Sequence, residues 1–365
     1  MARGAPSENV LRTRLRSVRL AELLDCFVRP AELVRREASG AVRCLACAHR
    51  CLVRPGRRGI CQVRFNRDGR LYAPANYVAG LHSDPIEKKP FYHVLPGCDT
   101  LTFGMLGCDF HCGYCQNWLT SQAIRDESAG TSPTIVSARE LVLLARQSGA
   151  PMVTSSYNEP SITAEWAVEV FRRAKAQGLK TAFVSNGNCS REALEYIRPV
   201  TDCYKIDLKS MSDPAYRKLG GVLASVLDGI RLVHEMGFWL EIVTLLVPGF
   251  NDDPVELGEA ARFIASVSPD IPWHVTAFHG EYRMADCRRT RAGALLQACE
   301  IGKEAGLRYV YAGNLAGRVG SWEHTDCPDC GDRLIERSGY RVRRNRVTAE
   351  GLCPSCSARI PGIWH

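Results

Sequence analysis

The sequence predicts an α/β fold: a partial (β/α)6-type TIM barrel with a cysteine-rich N-terminal segment and a four-cysteine C-terminal domain. Short apolar runs alternate with amphipathic segments from about residue 100 to residue 317. Eleven of the seventeen cysteines fall into three short-spaced sets before, inside and after this region. Repeated strand–helix units imply parallel strands, because each crossover needs a helix, and six or seven units favour a barrel with its chemistry at the carboxyl ends of the strands.

Composition excludes several classes of protein. A chain of 365 residues with 45% hydrophobic and 24% charged residues is neither disordered nor fibrous. Its sequence has no apolar run of the ~18–20 residues that span a bilayer, and its basic beginning lacks the apolar segment of a secretory signal. We therefore expect a cytoplasmic protein whose cysteines stay reduced and serve metal binding or redox chemistry.

The net charge of +8 is concentrated at the N-terminus. Residues 1–70 contain sixteen arginines and six acidic residues, so the remainder of the chain sums to −2. Such a segment could attract nucleic acid. However, its arginines are interleaved with cysteines rather than with aromatic residues that stack on bases, and arginine outnumbers lysine 39 to 8 throughout the chain. A compositional bias explains the charge better, and we expect neither a nucleic-acid nor a membrane partner.

Three regions follow from this pattern: residues 1–98, 99–317 and 318–365. The first contains a helix over Val18–Glu37, broken by Pro30, and short strands near Val63 and over Leu71–Ala73. The strands expected in the second are Leu101–Leu106, Pro151–Ser156, Lys180–Ser185, Cys203–Asp207, Trp239–Val247, Trp273–Phe278 and a seventh candidate, Arg308–Ala312. The helices expected between them are Ala138–Gln147, Ile162–Gln177, Arg191–Ile197, Leu223–Met236, Val255–Ser266 and Gly293–Ala305. An open doubly wound sheet is the alternative, but no glycine-rich dinucleotide turn follows the first strand.

The loop after the first barrel strand holds the most specific motif. It runs from Gly107 to Trp118 and places Cys108, Cys112 and Cys115 at C-x3-C-x2-C spacing. Three thiolates on one loop can hold three irons of a [4Fe–4S] cluster and leave the fourth iron open to a substrate or cofactor. Zinc held by the three cysteines and His111 is the alternative, against which the position at the end of a first strand argues.

This motif resembles that of the radical S-adenosylmethionine (SAM) superfamily, in which Tyr114 is the aromatic residue before the third cysteine; the resemblance implies that Tyr114 is one of the cofactor-binding residues. Residues 80–315 are similar to the branch that contains the glycyl-radical-enzyme activases. Within that branch, the stretch Asp84–His93, followed by Leu95-Pro96-Gly97 and then Cys115–Trp118, resembles the radical SAM member of the AmmeMemoRadiSam system.

The resemblance implies that later strands end in groups that bind SAM. Asn158 and Glu159 would contact the ammonium group, although the usual Gly-Gly before the glutamate is absent. Ser185 and Asn186 would contact the ribose or the carboxylate, and the Asp-Leu-Lys ending of the fourth strand implies SAM contacts from Asp207 and Lys209. His279 matches an aromatic–His pair at the sixth strand, with His274 as the other candidate.

The same resemblance implies the chemistry. One electron from a ferredoxin or flavodoxin would cleave SAM reductively to methionine and a 5′-deoxyadenosyl radical, which abstracts hydrogen from an unidentified substrate. No side chain need act as acid or base, so no catalytic residue is named. The companion proteins of the system are the expected partners. The alternatives are an activase that installs a glycyl radical and a metal-binding module without catalysis, against which the intact triplet argues.

Two cysteine quartets flank the barrel. Cys327, Cys330, Cys353 and Cys356 form two C-x2-C knuckles 22 residues apart, which predicts a zinc ribbon, with rubredoxin-like iron as the alternative. Cys44, Cys47, Cys51 and Cys61, with His49 among them, suit zinc or a second Fe–S cluster, with thiols that bind no metal as the remaining alternative. The scattered cysteines are expected to be small buried hydrophobes; they are Cys26, Cys98, Cys189, Cys203, Cys287 and Cys299.

Overall fold

The computed structural model describes residues 20–129 and 131–365. The N-terminal part of the described chain contains α1 (Leu20–Leu24), β1 (Val28–Pro30), β2 (Val34–Arg36), β3 (Val42–Cys44), β4 (Leu52–Val53), β5 (Phe65–Arg67), β6 (Arg70–Pro74) and β7 (Tyr77–Val78). Six of these strands form two antiparallel sheets, in the orders β2–β3–β4 and β1–β6–β5. The strands expected near Val63 and over Leu71–Ala73 correspond to β5 and β6. The cysteine-rich segment is therefore a folded β unit.

The prediction of a helix over Val18–Glu37 is wrong beyond α1. Its first two residues lie outside the described part of the chain, and β1 and β2 occupy the stretch that follows α1. The β-branched residues Val28 and Val34 lie on either side of Pro30, which cannot donate a backbone hydrogen bond inside a helix. Both segments pair with strands instead, β1 with β6 and β2 with β3.

The barrel is built on an eight-stranded sheet. Its strands are β8 (Gly80–Pro85), β9 (Asp99–Gly104), β11 (Met152–Ser155), β12 (Lys180–Ser185), β13 (Cys203–Asp207), β14 (Trp239–Leu246), β15 (Trp273–Ala277) and β16 (Val310–Gly313), while β10 (Thr134–Ile135) pairs with β7. Within this sheet, β9 and the strands from β11 to β16 are mutually parallel and follow chain order. The seventh parallel strand is thus confirmed, and β8 adds an antiparallel edge next to β9.

Helices connect the parallel strands. They are α2 (Trp118–Ser121), α3 (Ala138–Gln147), α4 (Ala164–Lys175), α5 (Arg191–Ile197), α6 (Asp213–Leu219), α7 (Leu223–Glu235), α8 (Pro254–Val267) and α9 (Ala292–Glu304). All six expected helices are present, and α2 and α6 are additional. The start of α3 shows how the sequence can indicate where a helix begins. There Ser137 and Glu140 form a reciprocal capping box that satisfies backbone donors at the helix terminus.

Burial explains the character of the strands. Every residue of β11 and of β15 is buried, as expected for parallel strands covered on both faces. Such strands read as continuous apolar runs, so polar residues on them are informative. The conspicuous exceptions are Lys205 and Asp207 on β13 and Glu241 on β14.

The C-terminal domain is a small antiparallel sheet of β17 (Thr325–Asp326), β18 (Arg333–Ser338) and β19 (Arg341–Asn345). Its core joins two ribbon cysteines to three tyrosines from the barrel side, Tyr92, Tyr309 and Tyr311. The domain therefore rests against β16, the far edge of the main sheet.

Two further facts bear on organisation. Strand β8 lies before residue 99 yet belongs to the main sheet, so the boundaries 1–98, 99–317 and 318–365 remain a prediction. In the described ranges, no helix combines the length and the apolar character needed to cross a bilayer.

Candidate active site

A cavity of about 540 Å³ lies inside the barrel. Its wall is formed by the loop after β9 and by the carboxyl ends of β11, β12 and β13. On another side it reaches Lys88 and Lys89, which follow β8, and Tyr340 of the C-terminal domain. Eight of the nine residues predicted to bind SAM line it: Tyr114, Asn158, Glu159, Ser185, Asn186, Asp207, Lys209 and His279.

The loop after β9 brings Cys108, Cys112 and Cys115 to the cavity wall. It begins at Gly107, whose φ of 93° lies in the left-handed region. A Cβ atom on this residue would come within 2.8 Å of a methyl carbon of Val63. The N-terminal segment and the loop can therefore lie this close only because glycine occupies the position.

The surroundings of the three sulfurs fit a metal cluster. Burial raises the pKa of the Cys112 thiol to about 12 and raises the pKa of Cys108 and Cys115 as well. Thiolates in such a place need positive charge, which bound metal supplies. The Phe110 N–H donates to Cys108 Sγ at 3.4 Å, and the Ser121 hydroxyl lies 3.2 Å from Cys115 Sγ. Three such thiolates, two of them with hydrogen-bonded sulfurs, are suited to hold three irons of a [4Fe–4S] cluster.

Asp109 is a site residue that sequence reasoning missed. Its carboxylate is fully buried and accepts hydrogen bonds from the side-chain amides of Asn186 and Asn188, each at 2.8 Å. Nε2 of His49 lies 3.8 Å from the same carboxylate. Asp109 thus joins the cysteine loop, the end of β12 and the N-terminal segment. The available signal was an acidic residue inside a motif whose neighbours are cysteine and phenylalanine.

The ends of β11 and β12 are joined by Glu159. Its carboxylate accepts hydrogen bonds from the Ser185 hydroxyl at 2.9 Å and from the Asn186 N–H at 2.8 Å. Burial, and next the charge of Asp109, raise the pKa of Glu159 to about 7. The Asn158 side chain accepts a backbone hydrogen bond from the residue after β9 at 3.0 Å. These predicted ligands therefore also hold one another in place.

Asp207 lies between two lysines on the cavity wall. Lys205 Nζ is 2.5 Å from one carboxylate oxygen, and Lys209 Nζ is 3.4 Å from the other. Burial disfavours the charged carboxylate, but the two cations nevertheless hold the pKa of Asp207 below its usual value. Lys205 was missed in the sequence, where its signal was a lysine in the middle of an apolar strand.

The two histidine candidates differ in position. His279 lines the cavity and is about half exposed. His274 does not line it: the ring is buried, its Nε2 lies 2.7 Å from the Glu241 carboxylate, and it packs edge-on against Tyr92. Its strand carries it toward the C-terminal domain instead. The structure therefore does not bring His274 together with the other predicted SAM ligands.

The C-terminal quartet forms a compact four-sulfur group. Cys327 and Cys356 have their sulfurs 3.6 Å apart, and those of Cys330 and Cys353 are 3.8 Å apart. Tetrahedral zinc with bonds of 2.3 Å places its sulfurs about 3.8 Å from one another. The geometry is that of a zinc-ribbon-like site for a single metal ion.

The N-terminal quartet is arranged differently. In the described ranges, the C-terminal group alone has three or more His, Cys, Asp or Glu ligand atoms that all lie within 4.8 Å of one another. Cys44, Cys47 and Cys61 are buried and Cys51 is half-buried. Burial, and next the charge of Cys44, raise the pKa of the Cys61 thiol to about 12.

The expectation that all six scattered cysteines are buried is wrong for three. Cys189, Cys203 and Cys299 are buried, whereas Cys26 and Cys287 are exposed and Cys98 is partly exposed. The exposed ones lie in turns or loops outside the main sheet, where apolar character does not decide position.

Comparison with known proteins gives a consistent answer. The sequence pattern of the Radical SAM superfamily matches residues 103–261. An uncharacterized protein of Methanocaldococcus jannaschii is 32% identical over 336 residues, which are 91% of this chain and 99% of the relative. The pyruvate formate-lyase 1-activating enzyme of Escherichia coli K12 is 29% identical over 195 residues, 50% of this chain and 77% of that enzyme.

A crystal structure of a radical SAM methyltransferase from Sphaerobacter thermophilus is 14% identical, covers 90% of this chain and 86% of that one, and has a TM-score of 0.48. The superfamily pattern matches the barrel from β9 into α8, including the three cysteines at the cavity. The chain therefore belongs to the radical SAM superfamily and is a radical SAM enzyme, for which a [4Fe–4S] cluster and SAM are the cofactors.

Proposed function

We propose that the chain is the radical SAM enzyme of the AmmeMemoRadiSam system and abstracts hydrogen from a substrate of that system. The observation that carries the proposal is the cavity, where Cys108, Cys112 and Cys115 face the polar ends of three parallel strands. When bound, the cluster and SAM supply one-electron cleavage of SAM to methionine and a 5′-deoxyadenosyl radical.

The residues of the chain bind and orient SAM. Lys209 offers a cation to the carboxylate of the methionyl group, and its pairing with Asp207 fixes where that cation lies. Asn158 and Glu159 offer oxygens to the ammonium group. The ring of Tyr114 is buried in the cavity wall beside the third cysteine and shields it from water.

The motif that suggests this subfamily forms part of the cavity. Asp84 accepts hydrogen bonds from Lys88 at 2.9 Å and Lys89 at 3.0 Å, and Lys89 also donates to the Tyr157 hydroxyl at 3.0 Å. Both lysines line the cavity. A subfamily motif in this wall supports a substrate particular to the subfamily.

An activase for a glycyl-radical enzyme is the alternative. It is favoured by the likeness to the E. coli enzyme, whose name states that it activates pyruvate formate-lyase. That likeness spans half of this chain, whereas the M. jannaschii relative spans 91% of it. The N-terminal and C-terminal cysteine segments therefore favour the first proposal.

Partners and further cofactors complete the proposal. A ferredoxin or flavodoxin supplies the electron, and the companion proteins of the system supply or receive the substrate. We propose zinc for the C-terminal quartet, because its sulfur separations match one tetrahedral ion and four cysteines on two knuckles are typical of structural zinc sites. None of the seventeen cysteines, all of which lie in the described ranges, forms a disulfide, which supports the cytoplasm as the compartment.

The test uses anaerobically reconstituted protein. Reduced protein should show a [4Fe–4S] EPR signal that SAM perturbs, and it should form 5′-deoxyadenosine. Cys112→Ala should abolish product formation, while the exposed Cys26→Ser control should retain it. Activity in Cys112→Ala would refute the assignment. Stimulation by the companion proteins, against a glycyl-radical EPR signal formed on a candidate lyase, separates the two proposals.

A further inference from the structure

The N-terminal quartet is gathered by a β hairpin. Cys44 ends β3, and its N–H donates to the carbonyl of Cys51 at 2.9 Å, which fixes the two cysteines opposite one another. Cys47 lies in the turn between them. The Ile60 N–H donates to Cys51 Sγ at 3.5 Å, so the next turn folds back and brings Cys61 to the same region. The four thiols thus share one locus although 17 positions separate the first from the last.

The spacing of these sulfurs does not suit a single ion. Four ligands of one tetrahedral zinc lie about 3.8 Å apart, as those of the C-terminal quartet do at 3.6 and 3.8 Å. No three of the N-terminal sulfurs lie mutually within 4.8 Å. The same holds for Cys108, Cys112 and Cys115, the cluster ligands of the superfamily. A cubane sets its thiolates farther apart, because each binds a different iron.

The surroundings also suit a cluster. Cys44, Cys47 and Cys61 are each at most 6% exposed, and the fully buried Arg64 follows the last of them closely in sequence. The backbone donor on Cys51 provides a hydrogen bond to sulfur. Burial and hydrogen bonds to sulfur are the means by which proteins tune the potentials of such clusters.

The quartet lies directly against the active-site loop. The Ala48 N–H donates to the carbonyl of Asn188 at 3.0 Å, and Arg125 donates to the carbonyl of Ile60 at 2.6 Å. A Cβ atom on Gly107 would lie 3.1 Å from the carbonyl oxygen of Cys61. The segments that carry the two cysteine groups are thus in direct contact.

From this geometry we infer that Cys44, Cys47, Cys51 and Cys61 hold a second [4Fe–4S] cluster next to the SAM cluster. With four thiolates every iron has a protein ligand, so this cluster has no open position for SAM or substrate. It would differ from the first in carrying electrons without binding SAM. The site does not depend on which substrate the enzyme uses.

Metal analysis of the full chain after anaerobic reconstitution tests the inference. We expect about eight irons and eight labile sulfides per chain, together with one zinc. Cys108→Ala/Cys112→Ala/Cys115→Ala should retain about four irons with an EPR signal that SAM leaves unchanged. Cys44→Ala/Cys61→Ala should retain about four irons with a signal that SAM perturbs. Cys26→Ser is the matched control and should keep all of them.

Two outcomes would overturn the inference: about four irons with about two zincs in the wild-type chain, or a triplet variant that holds no iron. The triplet variant retains all four N-terminal cysteines, so it decides the matter even where the Cys44→Ala/Cys61→Ala variant unfolds. Failure of SAM cleavage with eight irons present would count against the proposed function alone.

Discussion

The N-terminal and C-terminal quartets use the same residue type in similar short spacings, yet their sulfurs are set differently. Those of the C-terminal ribbon pair at 3.6 and 3.8 Å, and Cys330 and Cys356 are exposed. Those of the N-terminal hairpin are more widely set and mostly buried against the barrel. The number of cysteines is the same in both quartets, so the separation of the sulfurs and their burial are what set the two sites apart.

The largest expected effect separates the quartets by metal. A zinc-selective chelator should strip the C-terminal site and unfold the ribbon, since structural zinc contributes about 10–16 kcal/mol to the folding of small zinc domains. Hydrogen exchange of the β18 and β19 amides should rise sharply, while iron content stays constant. Cys330→Ala should reproduce the result without chelator. Loss of iron before any change in the ribbon would reverse the two assignments.

The second prediction compares the anchors of the two segments. Arg64 pairs with the buried Glu165 at 2.7 Å through both terminal nitrogens, which ties the N-terminal segment to α4. Arg337 is also buried, but the oxygens to which it donates are neutral, and its Nε lies 3.8 Å from the Glu87 carboxylate. Arg64→Met should lower the free energy of unfolding by about 3–5 kcal/mol, because it leaves the buried Glu165 carboxylate without a positive partner.

Arg337→Met should cost only about 1–3 kcal/mol, the usual effect of lost buried hydrogen bonds, because Glu87, whose pKa burial raises to about 7, can take up a proton when the arginine is removed. Equilibrium urea unfolding of the two variants measures the difference. Glu165→Gln in the Arg64→Met background should recover part of the lost stability, since the unpaired buried charge is then removed. Equal costs for both arginines would show that the longer pair of Arg337 with Glu87 contributes as much as the close pair of Arg64 with Glu165.

The smallest expected effect is a difference in pH dependence. Burial raises the pKa of Glu87, beside the C-terminal domain, from 4.5 to about 7 despite the charge of Arg337. Between these values the folded state holds a proton that the unfolded state has released. Stability from this group therefore falls as pH rises, by at most about 1.4 kcal/mol per pH unit, and levels off above about pH 7.

Glu165, at the N-terminal interface, makes stability depend on pH in the opposite direction. Although burial opposes its charge, Arg64 holds its pKa below 4.5. Its contribution to stability is present above the pKa of the unfolded state and is lost as pH falls through the pKa of the folded state.

The effect of Glu87 is isolated by measuring the free energy of unfolding in urea against pH and subtracting the profile of Glu87→Gln from that of the wild type. A flat difference would show that Glu87 is ionised in the folded protein.

Much of the barrel could be predicted because its parallel strands are buried on both faces. Their apolar runs and amphipathic helices are local signals, and the cysteine triplet is a local motif. Strand β8 was missed because His82, Ser83 and Asp84 give it no apolar run, and only pairing with β9 makes it a strand. The prediction of an N-terminal helix was wrong for the same reason, because pairing with partner strands overrides the local conformational preference of β1 and β2.

The residues of the candidate site also differ in whether a local signal identifies them in the sequence. Residues at strand ends were found because position in the repeat identifies them. The network around Asp109 could not be found, since its partners Asn186 and His49 come from distant parts of the chain. The spacing of the N-terminal sulfurs is likewise a property of the folded hairpin and has no counterpart in the order of residues.

One wall of the cavity has an evolutionary consequence. Tyr340 lies in the turn between β18 and β19, lines the cavity and hydrogen-bonds Asn314 at 2.8 Å through its hydroxyl. This turn contributes none of the residues assigned to SAM or to either cluster. Substitutions or insertions there can change what the cavity admits while the radical-forming machinery is inherited unaltered, so related enzymes could diverge in substrate by exchanging a single hairpin tip.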